Sequence, residues 1–98
     1  MESFLTESLT IEQQYSKLRN DYANASKRKC ERMSDMSQRF RCHVYQEQTF
    51  IMKLNNLISQ AQRQNAAPST IERLKSVRTT MIKQHDRAVA IISGKNKK

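Results

Sequence analysis

Arg28, Arg32, Arg39, Gln46 and Lys53 are the side chains whose types and spacing suggest chemistry. On a continuous helix, Arg32, Arg39, Gln46, Lys53 and Gln60 recur every seven residues, about 10.5 Å apart. Arg28 falls beside the same line. Cations and amides in such a row can engage phosphates and ribose hydroxyls along a duplex without reading bases. Arginine suits this because its planar fork binds phosphate through two donors at once. Lys75 and Arg78 add cations on a later helix. No acid interrupts the row, although Glu31 and Asp35 flank it. Lys27 and Arg41 face away on the same wheel, and Lys29 borders the apolar seam. A charged face that is only solvated remains the competing expectation.

Other chemistry is poorly supported. His43 and His85 lack a partner at ligand spacing. Adjacent Cys42 and His43 diverge by about 100° on a helix and do not share a metal as a pair. With one Gly in the chain, no phosphate-cradling loop is available. The few carboxylates are scattered, so paired acid–base catalysis is not expected. We therefore expect no enzyme activity, no cofactor and no metal site. Cys30 and Cys42, the only cysteines, would lie about 18 Å apart on one helix, too far to bridge each other. Reduced thiols are the expectation, with a cross-chain disulfide left open.

The elements that must position these residues are helices. The 98-residue chain has one Gly, one Pro and no Trp, with 28% charged residues. Little turn chemistry is available, and an all-α fold is the class that fits. Net charge is +9, and it is uneven. Residues 27–41 carry six bases against two acids, whereas residues 1–26 carry four acids against two bases. Such a surface fits a polyanion, nucleic acid before anionic lipid. No stretch approaches the roughly 18 apolar residues of a membrane span. The acidic N-terminus does not read as a signal peptide, so an intracellular, cytoplasmic setting is expected.

One helical domain over residues 1–94 is expected, with a basic tail at 95–98. Thr10 with Gln13 gives a start signal. The run Asn65-Ala66-Ala67-Pro68-Ser69-Thr70 is a clear break. Ser69 and Glu72 form a capping box, and Gly94 is placed to end the last helix. Between Thr10 and Gln64 a division can fall at Asn20–Ser26 or at Ser34-Asp35. The first is preferred, giving helices at about 10–24, 26–64 and 70–93. The apolar seam runs through Ile11, Tyr15, Leu18, Tyr22 and Ala25. It resumes at Met33, Met36, Phe40, Val44, Ile51, Leu54, Ile58 and Ala61. Leu74, Val77, Met81, Ala88 and Ile91 form the stripe of the last helix. So narrow a seam suits a helical hairpin or coiled-coil-like bundle, completed by pairing two chains. Tyr45 and Phe50 belong in that core or at its rim.

A helical, Gly-poor, basic chain in which PSTIERL (Pro68 to Leu74) opens a terminal helix resembles the nodavirus RNA-silencing suppressors. It departs from them in its longer final helix and in the place of its first hairpin turn. The resemblance implies an antiparallel homodimer that lays a helical face on double-stranded RNA and shields it from host processing. The leading expectation is thus sequence-independent duplex-RNA binding through Arg28, Arg32, Arg39, Gln46, Lys53, Lys75 and Arg78. A non-catalytic coiled-coil subunit joining a helical protein partner is the alternative. A small helical DNA-binding regulator is weaker, because the break before Pro68 is longer than a helix-turn-helix turn.

Overall fold

The computed structural model describes residues 10–93. Gly94 and the tail at 95–98 lie outside the described residues. The architecture is all-α, with three long helices and no strand among the described residues. Helix α1 spans Ile11–Ala25 and runs directly into a π-helical segment, Ser26–Cys30. Helix α2 spans Met36–Arg63 and α3 spans Pro68–Ser93. Helix α2 is central, with α1 on one flank and α3 on the other. The result is a slab of 51 × 28 × 14 Å.

Thr10 starts α1 with a capping box. Its hydroxyl accepts from the Gln13 amide, and the Gln13 side chain accepts from the Thr10 amide, each at 3.0 Å. Two otherwise orphan donors are satisfied by residues three apart. At the other end of α1, the Glu31 amide reaches back to the Ser26 carbonyl, a five-residue step. That wider turn inserts one extra residue into the helical phase. Cys30, rather than Lys29, therefore takes the inward position and is fully buried.

The division of the long segment differs from the expected one. No break occurs between Asn24 and Ser26; the chain leaves helix at Glu31 and re-enters at Met36. Asp35 decides this. As the N-cap of α2 it accepts the Ser37 amide at 2.9 Å, whereas Asn20, Asp21 and Asn24 stay helical and solvent-facing. The second correction follows from the first. Cys30 and Cys42 form a disulfide, with their Cα atoms 5.3 Å apart. The 18 Å separation assumed one straight helix, and the turn at 31–35 folds the two cysteines together.

The connection between α2 and α3 is built from backbone chemistry. Asn65 adopts φ 58°. The Asn65 amide donates to the Gln62 carbonyl and the Ala66 amide to the Ala61 carbonyl. This is a Schellman closure with Asn in the left-handed position that Gly more often fills. Helix α3 then opens on Pro68, two residues before the expected start. Proline is suited to the first helical position, where its missing donor is no loss. The Ser69–Glu72 pair thus lies inside the helix and is not its cap.

The core is closed within one chain. Ile11, Phe50, Leu54, Leu57, Ile58, Ala61 and Leu74 are buried together. Tyr15, Leu18, Tyr22, Val77 and Met81 pack on them half-buried. Val44 and Ile51 are buried as expected. Leu57 was not picked out by the seam. The Tyr22 and Phe50 rings meet with centroids 5.0 Å apart. Leu54 and Leu74 are fully buried, each contributing about 1.5–3 kcal/mol by the usual transfer scale. Two expected core residues are not covered: Met36 is 77% exposed and Phe40 37%. Tyr45 is also exposed. Both Met36 and Phe40 belong to the first turns of α2, beyond the reach of the π segment and of most of α3.

Candidate functional site

Five exposed cations gather at one end of the slab. Lys27, Arg28 and Lys29 belong to the π segment, Arg32 to the turn and Arg41 to the first turns of α2. The disulfide holds the two segments that carry these bases side by side. Two acids lie nearby. Asp35, which caps α2, and Glu31 are both exposed beside the bases.

The row of cations expected along α2 does not survive as a row. Arg32 is not on the helix at all, so the seven-residue repeat begins at Arg39. Arg39 is half-buried and gives Nε and Nη2 to the Met33 carbonyl, at 3.1 and 2.8 Å. It anchors the 31–35 turn. Gln46 is buried at 8% exposure. Lys53 is exposed on the edge of a groove lined by Leu18, Asp21, Tyr22 and Gln46. The common cause is α1, which docks on the flank of α2 that the helical wheel assigned to solvent. On α3, Lys75 is half-buried, and Arg78 donates to the Asn55 side chain at 2.8 Å. Of the residues nominated from the sequence, Arg28 and Arg32 lie at the basic end, while Gln46 and Lys53 share the α1–α2 groove, which Lys29 also lines. To the basic end the structure adds Lys27, Lys29 and Arg41, which the wheel had turned aside. The signal for them was present as plain charge density between Lys27 and Arg41.

A second polar group sits deeper. Glu47 on α2 lies between Tyr22 of α1 and His85 of α3. His85 Nδ1 is 3.4 Å from Glu47 Oε1, and both side chains are more than four-fifths buried. Burial raises the Tyr22 pKa above its usual value, and the charge of Glu47 adds to the effect. Glu47 and His85 link α2 to α3. Among the described residues no cluster of His, Cys, Asp or Glu is placed to hold a metal. Elsewhere, Glu12 and Arg73 pair between α1 and α3, and Lys17 with Asp21 along α1. Both pairs are exposed and contribute little to stability.

No described helix is long and apolar enough to cross a membrane. Comparison with protein-family models, curated proteins and solved structures finds no match to this chain.

Proposed function

We propose that the chain is a non-enzymatic, sequence-independent binder of duplex nucleic acid, duplex RNA foremost. Its contact surface is the basic end, not a rail along α2. One observation supports this reading: Lys27, Arg28, Lys29, Arg32 and Arg41 are all exposed around a single disulfide-closed turn. They form a cluster rich in phosphate ligands, and no run of aromatics alternates with them as a stacked single strand would require. Shielding of duplex RNA, in the manner of a silencing suppressor, is the biological role that follows. A homodimer would double the cationic surface.

Gel-shift titration with duplex RNA, duplex DNA and single strands at two salt concentrations tests the reading. If five phosphates are engaged, affinity for duplex RNA falls several hundredfold between about 50 and 200 mM salt. Arg28→Ala with Arg32→Ala lowers the steepness of that dependence by about two counterions and leaves helicity unchanged. Retention of full affinity by the double variant would refute the site.

The alternative, a structural subunit with a helical protein partner, is favoured by a separate observation: the exposure of Met36 and Phe40.

A further inference from the structure

A groove of about 300 Å³ runs between α1 and α2, at the small end of the range for ligand pockets. It has room for one ring system with a short appendage, not for a helix or a duplex. Gln46 is the unusual group in it. Its side chain is 8% exposed and lines the groove, yet it has no hydrogen-bond partner among the described residues. Among those residues only the Ser26 hydroxyl is sealed from solvent without a partner. The Gln46 amide therefore reaches solvent, and the groove is the opening it lines. A mostly buried amide is costly to leave without partners, so a ligand that offers the complementary donor and acceptor is favoured there.

The other lining groups say what else the ligand carries. Tyr22, Phe50 and the exposed Tyr45 bring three aromatic rings to the groove. Lys53 is exposed on its lining and has no carboxylate partner among the described residues. It stands seven residues beyond Gln46, about 10.5 Å along the helix. The contact of Tyr22 with Phe50 sets Asp21 at a level between these two. One Asp21 oxygen takes Lys17 at 2.9 Å, which offsets its charge and leaves the second oxygen able to accept. We propose that the groove binds a purine mononucleotide. A glutamine amide matches the adenine edge with one donor and one acceptor. The rings give the base a face to stack on, a carboxylate suits a ribose hydroxyl, and the lysine two turns on suits the phosphate. The inference does not rest on the duplex reading, because Arg28 and Arg32 do not line the groove.

Calorimetric titration of the full chain with AMP, UMP, adenosine and inorganic phosphate tests this. AMP should bind about tenfold tighter than adenosine or phosphate alone, and about fivefold tighter than UMP. Tyr45→Ala should weaken AMP and adenosine alike by about tenfold. Lys53→Ala should weaken AMP by about fivefold and leave adenosine unchanged. Gln46→Leu should erase the preference for AMP over UMP, and the two exposed-site variants keep the test decisive if that one fails to fold. Arg28→Ala with Arg32→Ala should bind AMP as the parent does; a loss there would move the ligand to the basic end and overturn the proposal. Equal binding of AMP and UMP, or no effect of the Tyr45 and Lys53 variants, overturns it as well. A free nucleotide and the unpaired end of an RNA strand share this chemistry, and competition separates them. Displacement of AMP by a duplex with one unpaired adenosine, but not by a blunt duplex, assigns the strand end. Displacement by neither assigns the free nucleotide. Equal displacement by both would place AMP on the duplex surface and remove the groove as its site.

Discussion

The two ends of the slab are held by different means. At the closed end, α2 turns into α3 through a backbone motif: Asn65 in the left-handed region, two closing amides and Pro68 as the first helical residue. Leu54, Ala61 and Leu74 lie against it with no exposure. At the open end, order comes from side chains. A disulfide joins Cys30 to Cys42, Arg39 grips the Met33 carbonyl, and the Ser26 hydroxyl is buried without a hydrogen-bond partner. Met36 and Phe40 stand exposed there. Local backbone chemistry with apolar burial makes an end that needs nothing further. Fastening by a disulfide and a side-chain hydrogen bond makes an end that retains exposed surface, both apolar and cationic. Segments that bind are in general drawn from ends of the second kind.

The sharpest way to break this contrast is to truncate one side chain at each end. Leu74→Ala should cost about 3 kcal/mol, because a fully buried leucine leaves a cavity. Phe40→Ala should cost well under half of that, since much of the ring already meets solvent. Urea denaturation of both variants measures the difference, and equal losses would erase the distinction between the ends.

Removing the disulfide gives the next effect. Reduction, or Cys30→Ser with Cys42→Ser, should lower stability by about 2–3 kcal/mol, as expected for a short closed loop. Hydrogen exchange should locate the loss: residues 26–42 lose protection while residues 54–74 keep theirs. A uniform loss would mean that the open end is not a separate unit.

A smaller effect sharpens the closed end. Asn65→Ala places a Cβ-bearing residue without a helpful side chain in the left-handed region and should cost about 1 kcal/mol. Asn65→Gly should be neutral or slightly stabilising, by thermal melting. If both variants melt alike, the turn does not depend on backbone conformation.

The sequence revealed the closed end more fully than the open one. Thr10 and Gln13 announce α1 because a capping box is local. Leu54, Ile58 and Leu74 follow from a 3.6-residue period that survives any choice of neighbour. The division at Glu31–Asp35 was harder to place, because Asn20, Asp21 and Asn24 compete for backbone hydrogen bonds as plausibly as Asp35 does. Only the tertiary turn, closed by Arg39, selects between them. The π segment shifts the phase by one residue, which in sequence looks like an irregular step in the seam. The disulfide was hidden by the same assumption of a straight helix. Gln46 and Lys53 were legible as a row but not as a groove, since nothing local says that α1 will lie on that flank. The alignment of cations was a property of one helix considered alone, whereas the cluster at Lys27–Arg41 is a property of the folded chain.

A slab only 14 Å thick keeps every core side chain within one layer of water. Unfolding such a body newly hydrates less hydrocarbon than unfolding a sphere of equal mass. Its heat-capacity increment should thus fall below the roughly 12–15 cal/mol/K per residue of compact domains. The stability curve is correspondingly flat: warming and chilling erode the fold slowly, and the melting transition is broad.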